Sequence, residues 1–185
     1  MGLLRYRTPS GELRAWTLRE IIQGRPINRP THPMLVFFPI AFWVGALAFD
    51  VLSRLGLTGG PLTATWTIGG GLGVAAFAIL TGTVDRSLMR PGSRIRKVAT
   101  RHMILQLTAS AVFALDLIVR WSGRHLDKAK PLWIALDAVG TVVVILGGDV
   151  GGQMVFKMGH RVGERDAGAA AQGPAETADE AAPLG

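Results

Sequence analysis

Four stretches of the chain run long and almost free of charge: about Met34 to Phe49, Leu55 to Val84, Met103 to Leu115, and Leu132 to Phe156, the last interrupted by Asp137 and Asp149. A helix that faces water keeps a polar side, and these stretches keep none. A hydrocarbon layer about 30 Å thick takes about 20 helical residues to cross, and shorter apolar runs are extended by flanking side chains that snorkel to the surface. The pattern therefore predicts an all-α membrane protein, a four-transmembrane-helix bundle. A soluble helical bundle would need more polar surface than four such spans leave. About thirty Arg-rich residues precede the first span and no A-x-A cleavage pattern follows it, so it reads as a span and not as a removable signal peptide.

The flanks complete the outline. "GELRAWTLREIIQ", residues 11–23, is expected to form a short interfacial helix with Ala15, Leu18, Ile21 and Ile22 on one side, although Arg14 interrupts that stripe and Trp16 falls outside it. The prolines of "GRPINRPTHP" end it. From Gly163 the chain is Ala, Gly, Pro and acids, including Glu176, Asp179 and Glu180, a composition that predicts a disordered acidic tail. The expected organisation is an arm over residues 1–31, a four-span membrane domain over 32–162 and the tail over 163–185. Within "THPMLVFFPI" (residues 31–40), Pro33 suits a first helical turn with Thr31 or His32 as cap, whereas Pro39 deprives the carbonyl of Leu35 of its partner and should kink the span.

Composition agrees with this outline and adds an orientation. Of 185 residues 49% are hydrophobic and only 18% charged, below the usual quarter for a soluble domain. Fifteen of the 20 Lys and Arg fall in residues 1–32, the 85–101 loop and the segment from Lys157, against five in the opposite loops: Arg54, Arg120, Arg124, Lys128 and Lys130. Positive charge resists translocation, so both termini are expected on the cytoplasmic side of a bacterial plasma membrane. The arginines behind the net charge of +7 flank spans within reach of anionic head groups, which favours lipid over nucleic acid as their partner. Cysteine is absent, which excludes disulfides, thiolate metal sites and cysteine-held iron–sulfur clusters.

The topology gathers separate residues at one rim. His32 opens span one, Asp85 closes span two, His102 opens span three, and His160 follows span four, with Asp149 inside that same end. Such a group is a candidate for haem, metal or proton chemistry, beside the plainer reading of histidines resting at head-group level. At the other rim Asp50 and Arg54, and likewise Asp116 and Arg120, stand four apart and read as structural ion pairs on single helix faces. The shared layout of spans one and three suggests duplication of a two-helix unit. Gly69–Gly73 and Gly147–Gly152 read as close-packing faces, not nucleotide loops. Met34, Met103, Met154 and Met158 lie near the histidine rim and would suit copper(I), but core or lipid-facing packing is their ordinary role.

"THPMLVFFPIAFWVGALAFDVL", "LTGTVDRS", "RKVATRHMILQL" and "GGQMVFKMG" together resemble the four-helix bacterial membrane family catalogued as domain of unknown function 2231, over about His32 to Gly163. Members of that family often carry a further histidine early in the first span and a Tyr-x-His-Gly ending. Here those places hold Phe37 and Met158, with His160 displaced by two. Related segments precede a Rieske-type iron–sulfur domain, which implies company with electron-transfer chemistry.

Three readings follow. No span offers a nucleophile with its base, and no segment outside the membrane is large enough for a substrate cleft. The leading expectation is therefore a non-catalytic accessory or scaffold module for a membrane redox or respiratory partner. The second is a small b-type haem or metal-binding electron carrier using His32 and His102, with His160. The third is a small proton-coupled transporter built on Asp149, Asp137 and Pro39, which with four spans would have to act as a homo-oligomer.

Overall fold

The computed structural model describes residues 4–8, 10–27 and 29–160, so the tail expected over 163–185 lies outside the described residues. The arm begins with an antiparallel hairpin, β1 (Arg5–Arg7) and β2 (Leu13–Ala15), paired Arg5 to Ala15, Tyr6 to Arg14 and Arg7 to Leu13. Helix follows only over α1 (Leu18–Ile22). The helix expected over 11–23 is thus shortened at its front, for two local reasons. Tyr6 stacks on Trp16 with ring centroids 4.1 Å apart, which holds residues 13–15 extended against β1. Thr17 then caps α1 reciprocally with Glu20, its hydroxyl accepting the Glu20 N–H while the carboxylate accepts the Thr17 N–H at 2.8 Å. Those Thr17 donors hold the Glu20 carboxyl below the usual carboxylate range.

Span one is divided into α2 (Thr31–Leu35) and α3 (Phe37–Arg54), with the break at Val36. Pro39 supplies no N–H to the Leu35 carbonyl, so the kink expected from the sequence falls where that bond is missing. Neither Thr31 nor His32 caps this helix, since Pro30 occupies the cap without a side-chain bond and the His32 ring is committed elsewhere. Spans two to four are α4 (Gly60–Ser87), α5 (Arg94–Arg120) and α6 (Pro131–Phe156). A 28-residue helix such as α4 is about 42 Å long at 1.5 Å per residue, enough to cross a bilayer with ends to spare. All four are long and apolar enough to span a membrane.

The bundle places apolar residues outside and charge inside. Ile118 is 74% and Phe156 88% exposed, with Trp66, Phe77 and Val142 also facing outward, whereas Asp50, Asp116, Arg120 and Asp137 are fully enclosed. That distribution suits a hydrocarbon surround and not water. α3 packs chiefly on α4 and α5 on α6, while α4 with α5 and α3 with α6 close the ring. The middle is a dry layer of Trp43, Ala46, Ile68, Ala109, Phe113 and Val144, in which Trp43 and Phe113 stack at 4.5 Å.

Contacts between positions 70 apart accord with the expected duplication. Positions 32 and 102, 43 and 113, and 50 and 120 are each 70 apart, and the members of each pair meet: His32 with His102, Trp43 with Phe113, and Asp50 with Arg120. Residues that meet their own equivalents lie on an axis of approximate two-fold symmetry, here running along the bundle because α3 and α5 point the same way. Ala109, fully buried beside Phe113 in the dry layer, has no room for a larger side chain. Ala109→Leu should lower stability by about 1–3 kcal/mol through overpacking, read as a lowered unfolding midpoint in detergent, whereas Val142→Leu on the lipid face should leave the midpoint unchanged.

Candidate functional site

The polar groups of the membrane domain form two centres, one at each end of the bundle. At the histidine end, His32 Nδ1 lies 2.8 Å from the carbonyl of Ala78 on α4 and 3.3 Å from the Thr81 hydroxyl. His102 Nδ1 lies 2.8 Å from the carbonyl of Gly147 on α6. A carbonyl only accepts, so in both rings Nδ1 carries the hydrogen and, in the neutral imidazole, Nε2 keeps its lone pair. The ring centroids stand 6.2 Å apart, nearly perpendicular at 83°.

The surroundings of the two imidazoles match as well. Each ring lies over a glycine one turn beyond its carbonyl partner: a Cβ at Gly82 would stand 2.7 Å from His32 Cε1, and one at Gly151 would stand 2.9 Å from His102 Cε1. Only glycine admits so close an approach. Ala78 and Gly147, and Gly82 and Gly151, are both 69 apart, so the same device occurs once in each half.

Of the other expected members of this cluster, two line a cleft at the same end and one faces away. Asp85 is buried and accepts from the Gln23 side chain at 3.1 Å, which ties the arm to α4. His160 joins Asp85 in lining an open cleft of about 290 Å³, completed by Gln23, Arg25, Leu88 and Met89. Asp149 is exposed and pairs along its own helix with Gln153 at 2.9 Å; its register on α6 turns it away from the imidazoles. Among the described residues, no three His, Asp or Glu side chains are grouped so as to hold a metal ion.

The opposite end is built around Arg120. Its Nη2 lies 2.8 Å from Asp50 on α3, 2.6 Å from Asp116 one turn back on α5 and 3.2 Å from Asp137 on α6. The Asp116–Arg120 pair expected from the sequence is present; the Asp50–Arg54 pair is not. Asp50 faces the bundle interior, where Arg120 meets it, while Arg54 reaches to the carbonyl of Ala129 at 3.5 Å. The guanidinium also lies 5.2 Å from the ring centre of Trp133, and the Lys130 ammonium lies 5.6 Å from the same ring centre. Ser53 closes this end, accepting the Ala129 N–H at 2.9 Å.

Asp137 and Trp133 were not legible as members of a charged centre, because Asp137 entered the sequence reading only beside Asp149, as an interruption of span four and a transporter candidate. The usable signal was the 70-residue offset. Measured from each histidine, it pairs Asp50 with Arg120, not with Asp116.

The family model described as Predicted membrane protein (DUF2231) covers residues 28–164. No curated protein and no solved structure matches the chain.

The two arginines near this end should respond differently to removal. Arg120→Ala leaves enclosed carboxyl groups without their counter-ion and should cost about 3–5 kcal/mol. Arg54→Ala loses one long hydrogen bond at the edge and should cost less than about 1 kcal/mol. Unfolding of both variants in one detergent checks this, and equal losses would contradict the cross-bundle pairing.

Proposed function

The chain belongs to the predicted membrane protein family DUF2231, and from that premise we propose that it is a non-catalytic accessory or scaffold module for a membrane redox or respiratory partner. The observation that carries this reading is how the spans use their buried polarity. His32 and His102 bind carbonyls of the following span, and Arg120 binds carboxylates from three helices; polar groups spent on joining helices stabilise an assembly rather than process a substrate. The hydroxyls of Ser53, Thr65, Thr81 and Ser110 donate to carbonyls of their own helices, which leaves them without a base to activate them. The dry layer of Trp43, Ile68, Phe113 and Val144 separates the two polar ends, which disfavours a through-going proton path. Support for a redox partner comes from the segments that resemble those preceding Rieske-type domains.

One observation favours a second reading, a metal-binding electron carrier. Metal-bound histidines characteristically donate their other ring nitrogen to a carbonyl or carboxylate, and both imidazoles here do so. An ion held between two Nε2 atoms at about 2.1 Å each would set the ring centroids roughly 5 to 6 Å apart, close to the 6.2 Å found. That spacing supports a site for a single redox-active ion that accepts imidazole, such as copper or iron. Each ring edge already rests on helix backbone at Gly82 or Gly151, and a porphyrin would require those helices to separate.

Absorption and metal content of the purified protein decide between the two. The accessory reading expects a preparation from metal- and haem-replete cells to be colourless with no stoichiometric metal, and His32→Ala and His102→Ala to lower the unfolding midpoint without changing the spectrum. Stoichiometric metal or a Soret band that disappears in both variants would replace it with the carrier reading.

A further inference from the structure

The Arg120 centre is crowded on one nitrogen and unused on the others. Nη2 has two hydrogens, yet three carboxyl oxygens stand within 3.2 Å of it. Nε and Nη1, which carry three more, have no acceptor, and neither does Trp133 Nε1. Taken as carboxylates, the acids leave Oδ1 of Asp50, Asp116 and Asp137 buried without a donor, and Oδ2 of Asp116 touching Nη2 without an aligned hydrogen bond. Asp50, Asp116, Arg120, Trp133 and Asp137 are all 0% exposed.

Three negative charges against one positive would give the centre a net negative charge in a place where each unpaired ion costs several kcal/mol. Protons remove both difficulties. A protonated carboxyl is neutral and is itself a donor, and the carboxyl groups of Asp50, Asp116 and Asp137 are brought close together because all three crowd on the one nitrogen. Carboxyl groups in such contact cannot all ionise and share a proton instead. A metal cation would meet repulsion from the guanidinium in the same space, so the proton is the ligand that the site favours.

We propose that the Arg120 centre is a proton-binding site, in which Asp50, Asp116 and Asp137 hold between them the protons that balance its charge and exchange them with the side of the membrane where α3 and α5 end. The groups facing it come from three helices and one loop: Asp50 on α3, Asp116 and Arg120 on α5, Asp137 on α6, and Lys130 near the Trp133 ring, with Arg54 at the edge. α4 adds no charge here, since its titratable residues, Asp85 and Arg86, lie at the histidine end. The Ser53–Ala129 bond is the closure between the centre and the loop, and the dry layer bounds it on the inner side. The acidity of that compartment then sets the charge inside the bundle. This site goes beyond the accessory reading, which uses the Arg120 centre only as a joint between helices.

Infrared spectroscopy of the full-length protein in detergent at neutral pH tests the proposal. Exposed carboxyl groups, with an ordinary pKa of about 4, contribute only carboxylate bands there. The wild type should show a carboxylic-acid carbonyl band that shifts in heavy water and loses intensity in at least one of Asp50→Asn, Asp116→Asn and Asp137→Asn. Each of these is an isostere of the protonated acid and should fold. The wild-type band should also titrate away as the pH is raised, together with the unfolding midpoint, so a variant that fails to fold does not remove the test. Absence of the band in the wild type, its persistence in all three variants, or its appearance only when sodium is withdrawn would overturn the proposal.

Discussion

A bilayer offers a buried charge no water, and that constraint organises this bundle. Arg120 cannot be solvated where it stands, so its partners must come from protein, and they come from α3, α5 and α6 together. Withdrawing any one of these helices would leave an enclosed ion uncompensated, a loss larger than that of the few contacts broken. The imidazoles act similarly with weaker bonds, joining α2 to α4 and α5 to α6. Between the two ends lipid supplies no hydrophobic drive toward association, and close packing takes over. That is why the middle of the bundle holds small residues such as Ala46, Ala64 and Ala109 around the stacked Trp43 and Phe113 rings.

The approximate symmetry explains why these features recur at matched depths. His32, Trp43 and Asp50 are separated by the same intervals as His102, Phe113 and Arg120, so each span presents an imidazole, an aromatic ring and a charge in the same order along one face. The following spans answer in register, with Gly71 under the Trp43 ring and Gly140 under Phe113, as Gly82 and Gly151 lie under the imidazoles. A wide ring against a bare backbone brings two helices close without a void, so the glycines of α4 and α6 are half of each contact and not merely spacers.

The four spans and the break near Pro39 were legible because apolar length and a missing N–H are local properties of the chain. The meeting of His32 with His102, and of Asp85 with His160 at the same end, followed from topology alone. What was not legible depended on rotation and on contacts across the bundle. Asp149 shares the right depth but faces outward, which its position near the end of span four does not reveal. Asp50 and Arg54 satisfy the spacing of a helical ion pair, yet a fully enclosed guanidinium on another helix competes with an exposed one on the same helix, and the enclosed one prevails. In the arm, the apolar stripe over 11–23 suggested more helix than forms, because Trp16 finds Tyr6 in a preceding strand. The Thr17–Glu20 capping spacing marked the true start and was readable from the sequence.

The two ends differ in how far they keep the symmetry, and electrostatics explains the difference. A residue on a two-fold axis faces its own equivalent. Two neutral imidazoles tolerate that arrangement, each donating to a carbonyl on its own side, and histidine occurs in both halves. Two ionised carboxylates or two guanidinium groups do not tolerate it in an enclosed site, since like charges there repel strongly. The halves therefore have to diverge at this depth, and they do so with opposite signs, Asp50 against Arg120. Asp116 and Asp137 then stand where the other half has Ala46 and Ile68. Those two acids exceed what one guanidinium neutralises, so the excess at this end belongs to protons and not to the geometry of the helices.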